Sequence, residues 1–209
     1  MVKLRSTYYG ATIDEALFNF LTNHETRERF RAILINTYFA KKVRPKLLSL
    51  GAVNLAAYKY SEKLLSGLKQ EVLFDEELEK VRKVRDQAFR RAIVSLYDHR
   101  CALCGIRMLT PEGHTVVEAA HIIPWSKSKN DLPTNGLSLC KLCHWSFDEG
   151  LMSVGKNYEV LISKRVQTDQ NLLGHILTLS GRNIFTPAEP RFQPAQENLN
   201  WHRQKKFLK

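Results

Sequence analysis

Four cysteines are the whole cysteine complement of the chain, and they stand in two pairs of identical spacing, Cys101/Cys104 and Cys140/Cys143. A C-x-x-C turn aims two thiolates at one point, and two such turns complete a tetrahedron around Zn²⁺. In a reducing compartment this spacing favours metal ligation over disulfides, with free thiols or redox pairs as the alternatives. Four thiolates fill the coordination sphere, so such a zinc is a staple with no open position for chemistry. Between and just after the pairs lie His121, Asn135 and His144, fourteen and nine residues apart. An imidazole titrates near ~6.5 and can accept a proton at neutral pH. Asp148 follows His144 by one helical turn, so both side chains could face one ion. Each residue also has an ordinary reading. A histidine at a strand end can simply be hydrogen-bonded, an Asn-Gly pair can be a turn, and Phe147-Asp148-Glu149-Gly150 can close a helix. His144 could also compete with Cys143 for the zinc. His24, His99, His114 and His175 join no pattern and are read as structural.

Taken together, Glu118-Ala119-Ala120-His121-Ile122-Ile123-Pro124, Thr134-Asn135-Gly136-Leu137 and Cys143-His144-Trp145-Ser146-Phe147-Asp148 resemble the HNH endonucleases, whose ββα-metal module occurs in many bacterial restriction enzymes. The resemblance covers about residues 90–151, and the Asn198-Leu199-Asn200-Trp201-His202-Arg203 tail resembles the restriction-type subgroup more weakly. It implies hydrolysis of a phosphodiester bond, with a water nucleophile and a means of neutralising charge that grows on the phosphate. It also implies roles. His121 is the general base, Asn135 orients that base or pins the hairpin, and His144 ligates one Mg²⁺ or Mn²⁺. One departure stands out: many members carry Asp, His or Glu just before the base, where this chain has Ala120, so Asp148, or Glu118 behind it, is expected to supply the missing carboxylate. On a strand, Glu118 and His121 point to opposite faces, which favours Asp148.

The elements that must position these residues can be read from periodicity. Ile13 to Phe39 repeats apolar residues at helical steps. Pro45 and Gly51 punctuate the chain, and Asn54 is expected to cap a second helix through Leu68. Asp75 is expected to start the clearest helix, with Leu78, Val81, Val84, Ala88, Phe89, Ala92, Ile93 and Leu96 as its apolar stripe. Its other positions hold Arg82, Lys83, Arg85, Arg90 and Arg91, either a DNA-facing ridge or a solvated face. Thr115–Ile123 reads as a strand ended by Pro124, residues 126–136 as a loop with Lys127 and Lys129, Leu142–Leu151 as a short helix, and Tyr158–Ile162 as a strand. The tail with Pro187, Pro190 and Pro194 reads as irregular.

Composition sets the frame. A 209-residue chain can bury one substantial core with a small second domain. No apolar run approaches the ~18 residues of a membrane span, and the start lacks the apolar core of a secretion signal, so a cytoplasmic protein is expected. A net charge of +11 favours a polyanionic partner. The expectation is an α+β protein: a helical region 1–74 for DNA recognition or dimerisation, a zinc-stapled nuclease domain 75–165, and a C-terminal extension 166–209. Its substrate would be double-stranded DNA, with a homodimer as a possible assembly, in restriction of foreign or modified DNA. A zinc-dependent DNA-binding protein with an inactive site and an RNA-cleaving nuclease are the rivals. Arg82, Arg85, Arg90, Arg91, Lys127 and Lys129 are the candidate DNA contacts.

Overall fold

The computed structural model describes residues 12–67, 78–167 and 174–209. The protein is α+β, and it divides into two compact units, Met1–Ala56 and Ala57–Lys209. The division falls inside a helix, whereas the sequence expectation set the domain boundary at residue 74.

The first unit is helical. Asp14 accepts the amide of Leu17 (3.1 Å) and opens α1 (Glu15–Thr22). Asn23, in extended conformation, stops that helix and caps α2 (His24–Tyr38) through the amides of Glu25 and Thr26. The expected cap at Asn54 is corrected: α3 is one helix, Arg44–Ser66, running through Pro45, Gly51 and Asn54. Proline fits there because it lies in the first turn, where its missing N–H has no helical partner anyway. The proposed start at Asp75 lies outside the described residues.

The second unit holds the main core. Helix α4 (Leu78–Leu96) buries Val84, Ala88, Phe89, Ala92 and Ile93, the stripe read from the sequence. It packs on a hairpin of β1 (Val117–His121) and β2 (Gly136–Cys140). The strands are antiparallel, with Val117 opposite Cys140 and His121 opposite Gly136. Gly136 is part of the register for a steric reason: a Cβ there would lie 2.3 Å from Ile93 Cδ1, so only glycine lets α4 approach this closely. The connection 122–135 is more structured than the loop expected from its polar composition. It contains α5 (Trp125–Ser128) and a 3₁₀ turn (Pro133–Asn135).

Helix α6 (Lys141–Asp148) follows β2 directly and packs against both strands. The chain leaves it through Gly150 at φ +72°, a left-handed conformation suited to glycine. A second hairpin, β3 (Met152–Val154) with β4 (Val160–Ile162), closes the far side. The tail is not irregular throughout: after its prolines it forms α7 (Gln196–Lys205), which buries Leu199 and His202. His202 stacks on Phe147 (3.6 Å between ring centroids), donates to the Phe147 carbonyl (3.0 Å) and accepts from Ser153 (2.9 Å), so α7 locks α6 to β3. Burial holds the His202 pKa at about 4. No helix among the described residues is long and apolar enough to cross a membrane.

Candidate active site and metal centre

The two cysteine pairs converge. The metal-binding atoms of Cys101, Cys104, Cys140 and Cys143 all lie within 4.8 Å of one another, and they are the one such group among the described residues. The first pair sits on a turn closed by Gly105 N–H to the Cys101 carbonyl (2.9 Å), and it is laid on β2 by Ala102 N–H to the Ser138 carbonyl (2.7 Å). The second pair spans the junction of β2 and α6, where Cys140 is the N-cap. Cys104 Sγ and Cys140 Sγ are 3.8 Å apart, far longer than a disulfide. Zn–S bonds of ~2.3 Å in a tetrahedron require sulfur–sulfur edges of about 3.8 Å, so this spacing fits zinc. Hydrogen bonds led by the one to Cys101 hold Cys140 far below the usual thiol range, while those same neighbours push Cys143 far above it. Four crowded thiols cannot all ionise alone; a divalent cation removes that conflict. The cluster could hold a zinc ion.

Asn135 is fully buried, and its amide works as a clamp. Its Oδ1 accepts from Ile123 N–H (2.9 Å), and its Nδ2 donates to the carbonyls of Ile123 and Asn130 (both 3.0 Å). With Ile122 N–H bonded to the Asn135 carbonyl (2.9 Å), the side chain extends the β1–β2 ladder past its last residue pair. Asn135 thus pins the hairpin with its side chain while its backbone ends the 3₁₀ turn.

His121 ends β1. Its ring stacks on Phe89 of α4 with centroids 3.8 Å apart and planes 8° from parallel. Its Nε2 lies 2.8 Å from Asp131 Oδ1. Asp131, 6% exposed, was not singled out in the sequence because Asn130-Asp131 sits in an ordinary loop composition; no spacing rule points to it.

His144, on α6, has a carboxylate at each ring nitrogen. Glu118 Oε2 is 3.4 Å from Nδ1, and Asp148 Oδ2 is 3.5 Å from Nε2. The Asp148 neighbour follows from helical spacing. The Glu118 neighbour does not: strand alternation separates Glu118 from His121, yet α6 brings His144 to the Glu118 side. The two carboxylates approach different ring nitrogens, whose in-plane lone-pair directions diverge. Ala120 is 1% exposed and opposite Leu137 in the register, a core position with no ligand atom. Glu118 and His121 are three residues apart on one strand, about 10 Å between Cα atoms.

The candidate DNA contacts separate into two kinds. Arg82, Arg90 and Arg91 are exposed on α4; Arg82 is 3.6 Å from Asp86, and Arg91 lies over the Tyr58 ring at 4.3 Å. Lys129 lies over Trp125 (3.7 Å) and Lys127 over Trp201 (5.4 Å). Arg85 does not join this set: its side chain is 11% exposed, bonded to Asp131 Oδ1 (3.2 Å) and paired with Asp86, with its guanidinium over Trp125. A charge paired in this way serves the interior.

A hairpin followed by a helix, with one histidine on each part, is a ββα arrangement. Residues 101–155 match the family model of HNH endonucleases. Among solved structures the chain resembles a modification-dependent TagI restriction endonuclease at 22% identity and a TM-score of 0.43; the match covers 62% of this chain and 44% of that one. The comparison with curated proteins gives no match.

Proposed function

We propose that the protein is a metal-dependent endonuclease that hydrolyses double-stranded DNA, with His121 as general base and His144 as ligand of a catalytic Mg²⁺ or Mn²⁺. The observation that carries the reading is the pair of histidines in the HNH segment. One is held at a strand end by stacking and a carboxylate; the other is flanked by carboxylates on the following helix. Adjacent donors on an octahedral cation with bonds of ~2.1 Å stand about 3.0 Å apart, and each histidine–carboxylate pair, at 3.4 and 3.5 Å, needs to close by only a few tenths of an ångström, so the residues present fit such an ion. His144 would hold it together with Asp148 or Glu118, one carboxylate at a time in this arrangement. When bound, the ion would neutralise charge growing on the scissile phosphate. His121 takes the proton of the attacking water. Asn135 keeps the hairpin end and the 122–131 connection in register. The cysteine cluster, with Zn²⁺, ties the approach to β1 to the start of α6. The exposed Arg82, Arg90, Arg91, Lys127 and Lys129 with the net charge of +11 favour a polyanionic duplex.

The restriction role and a cytoplasmic location rest on the motif forms around His121 and His144 and on the chain's character. One such site cuts one strand, so a double-strand break takes two copies or two encounters. The test is incubation of the zinc-loaded protein with plasmid DNA and with RNA, with and without Mg²⁺ or Mn²⁺, beside His121→Ala. Metal-dependent nicking or linearisation that His121→Ala abolishes is expected. Binding without cleavage would put the inactive-site reading in its place, and cleavage of RNA alone would correct the substrate.

A further inference from the structure

A buried carboxylate is costly unless it is paired, so Asp131 needs explaining. It accepts from three donors brought by three different elements. Arg85 Nη1 on α4 reaches Oδ1 at 3.2 Å, His121 Nε2 at the end of β1 reaches the same oxygen at 2.8 Å, and the Tyr60 hydroxyl on α3 hydrogen-bonds the carboxylate. Arg85 alone would satisfy the charge. The histidine is therefore a further partner, and a carboxylate can only accept from it. That fixes the proton on Nε2 and leaves the lone pair on Nδ1. Phe89, parallel to the ring at 3.8 Å, fixes its plane, so the ring is constrained both in tilt and in rotation about Cβ–Cγ.

From this geometry we infer that Asp131 is the positioning residue of the general base: it holds His121 in the Nε2–H tautomer, presents Nδ1 as the nitrogen that takes the proton from water, and balances the imidazolium that results. The inference rests on His121 acting as base. Bond changes are those of a simple proton transfer: one O–H of water breaks, Nδ1–H forms, and the Nε2–H to Asp131 bond persists throughout. The logic is that of a carboxylate behind a catalytic histidine, where the carboxylate sets tautomer and orientation without itself taking the proton. Arg85 and Tyr60 hold the Asp131 carboxylate in place. This gives the end of α3 and the helix α4 a part in the chemistry that no spacing in the HNH segment announces.

The test uses the full-length, zinc-loaded chain labelled with ¹⁵N-histidine, with the His121 signals assigned by their loss in His121→Gln. In the native protein the neutral His121 ring is expected to carry its proton on Nε2. In Asp131→Asn the side-chain amide can turn an N–H toward the ring, so the Nδ1–H form is expected to gain. The turnover number on plasmid should fall on the order of a hundredfold or more, while KM for DNA and zinc content stay near native. A native Nδ1–H tautomer overturns the inference, and it does so even if Asp131→Asn fails to fold. Native-like turnover by a folded Asp131→Asn overturns it as well. Retained cleavage by His121→Ala would instead remove the general-base reading, and the tautomer measurement stands apart from that result.

Discussion

Replacing Asn135 with alanine removes three hydrogen bonds at once from a fully buried position: one accepted from Ile123 N–H at 2.9 Å and two donated to the carbonyls of Ile123 and Asn130 at 3.0 Å. A typical intramolecular hydrogen bond contributes about 1 kcal/mol net, and a donor left buried without a partner costs ~1–3 kcal/mol. Ile123 and Asn130 are half-buried, and the Ile123 carbonyl keeps a bond from the Ser128 hydroxyl at 3.4 Å, so the cost falls mainly on the Ile123 amide and the Asn130 carbonyl. The expected loss is about 3 kcal/mol, a large part of the ~5–15 kcal/mol that holds a domain together. At this chain length it corresponds to roughly 6–12 °C in Tm. Asn135→Asp should cost at least as much, since it keeps the bond from Ile123 N–H but turns an oxygen toward two carbonyls. Urea unfolding of the zinc-loaded proteins, followed by circular dichroism, measures both. An Asn135→Ala protein that unfolds within about 0.5 kcal/mol of native would refute the clamp and return Asn135 to a role in chemistry alone.

The cysteine cluster makes a stoichiometric prediction: one zinc per chain that resists mild chelation, with Cys104→Ser or Cys140→Ser destabilising the nuclease domain itself; folded protein purified without chelators and free of zinc by elemental analysis would contradict this. At His144, whichever of Asp148→Asn and Glu118→Gln removes the ligand should raise the Mn²⁺ needed for half-maximal cleavage by about tenfold or more, and the other by less; if neither moves it, His144 does not hold the ion. Arg85→Ala should lower stability by roughly 1–3 kcal/mol, because the buried Asp131 loses its charged partner and keeps only the His121 and Tyr60 donors, whereas Arg90→Ala should leave stability alone and shallow the salt dependence of DNA binding by about one unit. The His202 pKa is depressed to about 4, so as pH falls through ~6.5 the unfolded chain takes up the proton first. Stability should therefore be complete above ~6.5 and decline by roughly 3 kcal/mol toward pH 4, a slope that His202→Leu flattens in pH-dependent unfolding.

Much of the site was readable from one dimension because its geometry repeats locally. The C-x-x-C turn is a property of four consecutive residues, and the His144/Asp148 pair follows from the pitch of one helix turn. The stripe Val84, Ala88, Phe89, Ala92, Ile93 is likewise helix pitch, and it correctly identified the face of α4 that covers the hairpin. The signals that misled were also local. Asn54 looks like a cap, and Pro45 and Gly51 like breaks, but propensity is a weak preference that a long packed helix overrides. The polar texture of 126–136 hid a short helix and a 3₁₀ turn, each closed by its own backbone bonds and flanked by hydrogen bonds from the Asn130 and Asn135 side chains.

What tertiary structure alone decided is which charges meet. Arg85 sits in a run of basic residues and reads as a surface contact, until α4 packs with that side chain over Trp125 and against Asp131, 46 positions away. Glu118 is assigned by strand alternation to the wrong side for His121, until α6 folds back across β1 and sets His144 beside it. The sequence by itself determined the ligands of the staple and the histidines of the HNH segment, because short-range backbone geometry sets their spacing. The carboxylate at each histidine was decided by packing, because an ion pair depends on distance in space and leaves no period in the chain.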